Sequence, residues 1–196
     1  MRGVTRTRAT KETRVSVSLD LEGGESGEVE TGLPFFDHMV AQLGKHGGLA
    51  LSVKAVGDLE VDAHHTVEDV GIVLGEALAE ALGDKMGVRR FASIAVPLDE
   101  SLVEVALDLS GRAYLSYSVA FPLDAVPLGN PAFEPQLAEE FWRAFVTASQ
   151  ITLHVRSIAG RNTHHLLEAS FKAVGRALRD AVRVEGHAIP STKGTL

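Results

Sequence analysis

The sequence predicts an α/β fold built by tandem duplication of one half-domain, with two similar sheets and helices packed between them. Three observations carry that reading. The pentads His64-His65-Thr66-Val67-Glu68 and His164-His165-Leu166-Leu167-Glu168 stand 100 residues apart. In the same ungapped offset, Gly75, Ala77, Leu78 and Ala81 reappear as Gly175, Ala177, Leu178 and Ala181. Upstream, Leu51 and Val53 become Ile151 and Leu153, which preserves the alternating apolar face of a strand. One pentad could arise by chance, whereas two in register inside matching helical patterns indicate duplication. The 196 residues are then one domain, with half-domains over about 1–88 and 89–196.

The elements follow in order. A strand is expected near 4–22, where Val15-Ser16-Val17-Ser18-Leu19 alternates, and Glu22-Gly23-Gly24 turns the chain into a second strand near 27–33. Pro34 opens a helix that closes near Lys45, since a proline in the first turn and a Gly47-Gly48 stop match the usual asymmetry of helix ends. Leu49 to Val56 alternates as a strand, and a helix near 63–82 ends at Gly83. The second half repeats this with a more obvious hairpin: strands near 91–98, 102–109 and 113–120, a helix near 135–148, a strand at 151–158 and a helix near 162–183. Asp62 and Asn162, both good caps, stand two residues before the pentads. Pro122 to Pro135 is the long irregular loop, of a kind that commonly serves as a lid, a contact or a mobile segment.

Composition narrows the function classes. Hydrophobic residues at 45% and charged residues at 23% fit an ordinary globular protein. A net charge of −7 argues against nucleic acid as the main partner, and the absence of cysteine removes disulfides, thiolate catalysis and sulfur-ligated metals. No apolar run approaches a membrane span. The basic cluster Arg2, Arg6, Arg8, Lys11 and Arg14 resembles a transit peptide, yet the strand pattern just behind it favours a first strand and a cytoplasmic protein.

The pentads point to metal chemistry. On a helix, His64 and His65 both lie within one turn of Glu68, and adjacent histidines diverge by about 100°. They therefore serve two different ions more naturally than one, and His164, His165 and Glu168 repeat the arrangement. His38, on the first helix, and His154, on the strand before the second pentad, complete a set of six imidazoles and two carboxylates. That is four ligands for each of two ions, with positions left for substrate. Nitrogen and oxygen donors without thiolate suit Mn, Fe, Co, Ni or Zn, and open octahedral sites favour Mn or Fe. A lone histidine is more often a surface or hydrogen-bonded core residue, but clustering of the six pentad groups is costly for a mere core, while His38 and His154 rest on spacing alone. His46 and His187 have no duplicate, so each reads as either a substrate contact or an ordinary surface residue.

Phe35-Phe36-Asp37-His38-Met39, Asp62 to Gly71, Arg161 to Glu168 and Pro190-Ser191-Thr192-Lys193-Gly194 together make the chain resemble the imidazoleglycerol-phosphate dehydratase family of histidine biosynthesis. His46-Gly47-Gly48-Leu49 departs slightly from the usual family pattern. The resemblance implies two mixed four-stranded sheets, a 24-subunit shell, and two manganese ions per active site completed by neighbouring subunits. It strengthens His38, His64, His65, Glu68, His154, His164, His165 and Glu168 as ligands. It further implies Glu12 and His46 as catalytic or substrate-facing groups. Arg90, Arg112, Ser191, Thr192 and Lys193 are implied to hold phosphate, and Lys172 to contact substrate together with His38, His64, Glu68 and His164. Unaided, Glu12 would pair with Arg8 or Arg14, and an isolated arginine is usually a solvated charge.

The family reaction removes water from imidazole glycerol phosphate to give imidazole acetol phosphate. The proton to be lost is not activated by a carbonyl, so the resemblance implies a metal-stabilised imidazolate that expels the hydroxyl. A diazafulvene-like intermediate then makes the neighbouring proton acidic, with Glu12 the candidate base. Two other readings stand beside it: a two-metal hydrolase releasing phosphate or an amide product, and a metal-binding shell without turnover.

Overall fold

The computed structural model describes residues 2–25 and 27–196. The first sheet takes β1 (Gly3–Ala9), β2 (Thr13–Asp20), β3 (Val29–Glu30) and β4 (Ala50–Gly57), in the order β1-β2-β4-β3. The second takes β5 (Phe91–Leu98), β6 (Ser101–Asp108), β7 (Tyr114–Ser118) and β8 (Thr152–Ala159), in the order β5-β6-β8-β7. The two orders are the same, element for element. In each sheet the last strand is parallel to its neighbour and the rest are antiparallel, so both sheets are mixed. The helices are α1 (Pro34–Gly47), α2 (His64–Leu82), α3 (Leu137–Ser149) and α4 (Thr163–Ala181). Among the described residues, none is long and apolar enough to cross a membrane.

Each long pentad helix lies on its own sheet, α2 against β1, β2 and β4, and α4 against β5, β6 and β8. The shorter helices cross over: α1 packs on α4 of the other half, and α3 on α2. The duplicated residues Ala77, Leu78, Ala81, Ala177, Leu178 and Ala181 are all buried in this common core. The repeated glycines have a physical cause as well. A Cβ on Gly75 would stand 2.5 Å from the Phe145 carbonyl oxygen, and one on Gly175 would stand 2.7 Å from that of Leu43. The backbones approach too closely for any side chain. Gly175→Ala is therefore expected to destabilise the fold by about 1–3 kcal/mol, the usual cost of overpacking, read as a lowered thermal midpoint.

Two expectations about local structure need correction. The strand expected over 4–22 is a hairpin, β1 and β2, joined at Thr10-Lys11-Glu12. That turn has no glycine or proline to announce it. The Thr10 hydroxyl forms it by accepting from the backbone N–H of Glu12 and Thr13 at 3.1 and 2.9 Å. The strand expected near 27–33 pairs only at Val29 and Glu30, because Thr31 turns inward to bond the Asp37 carboxylate at the start of α1. The long 122–135 loop is pinned: Phe133 is 0% exposed and packs its ring 5.6 Å from both Phe35 and Phe36.

Candidate active site

The crossing of α1 over α4 brings His38 to the second pentad. His38 Nε2 lies 3.2 Å and His164 Nε2 2.9 Å from the same Glu168 oxygen, while Lys172 Nζ donates to the other oxygen at 2.6 Å. The donor atoms of His38, His164 and Glu168 all lie within 4.8 Å of one another. Among the described residues they form the one such group of three or more. Phe35 braces His164 edge-on, with ring centroids 5.2 Å apart. Burial pushes Glu168 upward, but hydrogen bonds from Lys172, His164 and His38 outweigh it and hold the carboxyl at about 2. It is a carboxylate at any physiological pH.

His46 stands beside this cluster. Its Nε2 is 3.1 Å from Gln42 Oε1, and the same amide reaches His38 Nδ1 at 3.5 Å. Burial, with the charges of Lys172 and Arg176, lowers His46 from its usual value of 6.5. A neutral imidazole at pH 7 is the consequence.

The first pentad is arranged differently. Opposite α2, helix α3 offers Phe141, Ala144 and Phe145 and carries no histidine, so His64 and Glu68 gain no imidazole from it. His64 instead borders a cavity of about 250 Å³ with Asp62, Ala63, Leu59 and Glu134. His65 Nδ1 is 3.0 Å from Asp58 and 3.9 Å from Glu12. The Asp58 hydrogen bond, aided by the Glu12 and Asp58 charges, raises His65 above 6.5 despite some desolvation. Glu12 is not on a strand and pairs with neither Arg8 nor Arg14 as its local sequence suggested. It projects from the β1–β2 turn, and Arg8 turns away to bind the buried Asp69, which also accepts from the Thr13 hydroxyl. These two bonds fasten the turn to α2 beside Glu68.

Capping splits between the pentads. Asn162 caps α4 by accepting from the N–H of His164 and His165. Asp62 accepts from the N–H of His64, but Ala63 occupies the cap position itself.

His154 is not with the other ligand candidates. On β8, Leu153 and Val155 are buried toward the helices, so His154 points to the opposite face of the sheet, against the Tyr114 ring at 5.4 Å. The phosphate candidates do converge. Arg90, Arg112, Ser191, Thr192 and Lys193 border one cavity of about 600 Å³. Arg90 is partly committed there: its guanidinium forks onto Asp108 at 2.7 and 3.2 Å and donates to the Pro190 carbonyl at 2.7 Å, which ties the tail to β6.

A model of the family described as imidazoleglycerol-phosphate dehydratase matches residues 31–178. The chain belongs to this family. It is 54% identical over 190 residues to the imidazoleglycerol-phosphate dehydratase of Acidothermus cellulolyticus, covering 96% of this chain and 90% of the relative. The enzyme of that name from an Anaeromyxobacter strain is 57% identical over 189 residues, covering 96% and 91%. Among solved structures, that of imidazoleglycerol-phosphate dehydratase from Staphylococcus aureus superposes with a TM-score of 0.81 at 36% identity, over 93% of this chain and 99% of that one. The Pyrococcus furiosus enzyme, solved in complex with (S)-C348, gives 0.80 at 35% identity over 97% and 100%. Both carry the mixed-sheet α/β architecture described above, and this dehydratase family member is a hydro-lyase.

Three residues near the site had escaped notice in the sequence. Gln42, Asp58 and Glu100 each contact a ring nitrogen of a ligand candidate, Glu100 through His165 Nδ1 at 2.8 Å. A polar residue four positions after His38 on the same helix was the available signal for Gln42. Asp58 and Glu100 sit in loops, where spacing carries none.

Proposed function

We propose that this chain dehydrates imidazole glycerol phosphate to imidazole acetol phosphate in histidine biosynthesis, using two divalent ions, manganese by preference, at each active site. The observation that supports it most is the convergence of His38, His164 and Glu168 from two helices on one spot. An all-nitrogen-and-oxygen donor set of this kind fits Mn or Fe. These three residues would hold one ion, with His64, His65, Glu68, His154 and His165 supplying the remaining ligands. When bound, the ions supply Lewis acidity to the substrate's ring nitrogens, favouring the imidazolate.

The protein's own groups do the rest. Arg90, Arg112, Ser191, Thr192 and Lys193 clamp the phosphate, so the ring is presented in one orientation. Glu12, exposed at a turn that Asp69 holds fixed, removes the proton made acidic once the ring-bearing carbon has lost its hydroxyl, at the diazafulvene-like stage. His46, neutral at pH 7, is suited to accept a proton or share a hydrogen bond near that hydroxyl. Lys172 holds Glu168 by the oxygen that the two histidines do not share.

Within one chain these groups lie in separate places: the α1–α4 cluster, the hollow at Glu12, the tail cavity, and His154 on the outer sheet face. Such scatter favours sites assembled between copies, as in the 24-subunit shell that the family resemblance implies. Exposed Phe91, Tyr114 and Ile158 give the second sheet's strands apolar surface for a partner.

Product analysis tests the reading. Protein supplied with manganese and imidazole glycerol phosphate is expected to form an enolisable ketone with phosphate retained. Free phosphate without ketone would support a hydrolase instead. Activity is also expected to fall as pH drops below about 6, because protons compete with metal for imidazole nitrogen.

A further inference from the structure

The two halves hold their second pentad histidines through carboxylates from different loops, and in the first half the difference leaves Glu12 over. In the second half, the β5–β6 turn carries Glu100, directly before Ser101, the buried first residue of β6. Its topological counterpart in the β1–β2 turn is Glu12, directly before Thr13, the buried first residue of β2. Glu100 Oε2 meets His165 Nδ1 at 2.8 Å, within hydrogen-bond range, whereas Glu12 stays 3.9 Å from His65 Nδ1.

In the first half Asp58 does what Glu100 does in the second. It follows the end of β4 and puts Oδ2 3.0 Å from His65 Nδ1. The residue in the same place after β8 is Gly160, where a Cβ would stand 2.5 Å from Leu166 Cδ2 and 2.6 Å from Ser101 Oγ. No carboxylate fits there. Each half therefore has one carboxylate on the Nδ1 of its second pentad histidine, supplied by the loop after β4 in the first and by the β5–β6 turn in the second. Each half also has a spare, but on different ring atoms: Glu12, 56% exposed, is 3.9 Å from His65 Nδ1, and Asp99, 76% exposed, is 3.8 Å from His165 Nε2.

We propose that Asp58 and Glu100 are positioning residues that accept a hydrogen bond from the Nδ1–H of His65 and His165, so that Nε2 of each ring is presented to a metal ion, and that Asp58 thereby releases Glu12 to face substrate. A carboxylate can only accept, so a neutral ring bonded to it carries its proton on Nδ1 and leaves the Nε2 lone pair free. Partners of this type orient metal-ligating histidines and raise their basicity. Glu100 is itself fixed, since its other oxygen accepts from the N–H of Asn162 at 2.9 Å and of Arg161 at 3.1 Å. The proposal rests on the dehydratase reading only for the task given to Glu12.

The test is manganese titration of the intact, chelator-stripped protein, reading free ion by its paramagnetic resonance signal. Glu100→Gln is the informative change. Its amide oxygen can keep the Asn162 and Arg161 bonds, which turns the NH2 group onto His165 Nδ1 and drives the ring proton to Nε2. Manganese affinity is expected to fall about 10- to 100-fold, the usual cost of losing such an orienting partner. Glu100→Ala leaves Nδ1 to water and is expected to bind manganese better than Glu100→Gln. If Glu100 merely held the loop, the order would reverse, because alanine loses the loop bonds. Asp58→Ala, which removes no loop hydrogen bond of its side chain, is expected to weaken manganese binding likewise. Glu12→Gln, which loses only an exposed charge 3.9 Å from His65 Nδ1, is expected to weaken manganese binding far less than Asp58→Ala. Wild-type affinity in Glu100→Gln or Asp58→Ala, or alanine at 100 binding worse than glutamine, overturns the positioning role. A loss of affinity in Glu12→Gln as large as that in Asp58→Ala overturns the release of Glu12. Unaltered protein that binds manganese but forms no ketone would instead count against the dehydratase reading, leaving the metal titrations to judge the positioning role by themselves.

Discussion

Glu168→Ala is expected to remove one manganese ion per site and abolish dehydration. Glu168 is the point on which α1 and α4 meet: His38, His164 and Lys172 all bond its two oxygens. Removing the carboxylate takes away a direct donor and also the negative charge that lets two imidazoles and an ammonium sit together. The fall in affinity should therefore exceed the roughly 10- to 100-fold typical of losing a group that only orients a ligand. Equilibrium metal counting on the stripped and reloaded variant, alongside its turnover, checks this. Full manganese occupancy in a folded Glu168→Ala protein would mean that the cluster is a hydrogen-bonded arrangement and not a metal seat.

The second large effect is expected at Glu12. Glu12→Gln keeps the size and hydrogen-bonding reach of the side chain but cannot take a proton at neutral pH. A general base contributes about 100- to 10,000-fold to a rate, so kcat should fall within that range while KM changes little. The turn itself is held by the Thr10 hydroxyl and by Thr13 and Arg8 on Asp69, none of which involves the Glu12 carboxylate. Near-normal turnover in the glutamine variant, with assembly intact, would move the base elsewhere, and His46 would be the next group to change.

How far the sequence revealed all this depended on where the chemistry sits. The pentads were legible because each occupies the first turns of a regular helix, at identical spacing, with the duplicated glycines and alanines behind them buried at helix crossings. The sheets were legible wherever alternation ran clean, as at Val15 to Leu19. The β1–β2 turn was not, because a threonine hydroxyl makes it and leaves no glycine or proline as a mark. That error placed Glu12 on a strand and hid its kinship with Glu100, which the ungapped offset of 100 could not reveal because these residues are separated by 88 positions. His154 shows the opposite case. Buried Leu153 and Val155 flank it in the sequence, so its outward direction could have been read in advance. The Asp58 to His65 contact depends on how the loop after β4 folds back over the first turn of α2, which no helix or strand periodicity encodes.

The most direct test of the central claim is to strip the protein with a chelator, return manganese stepwise, and follow ketone formation from imidazole glycerol phosphate against the number of ions bound per subunit. The account predicts no ketone from the stripped protein and turnover that rises with occupancy, with phosphate retained on the product. Undiminished turnover by protein shown to be free of metal would contradict it.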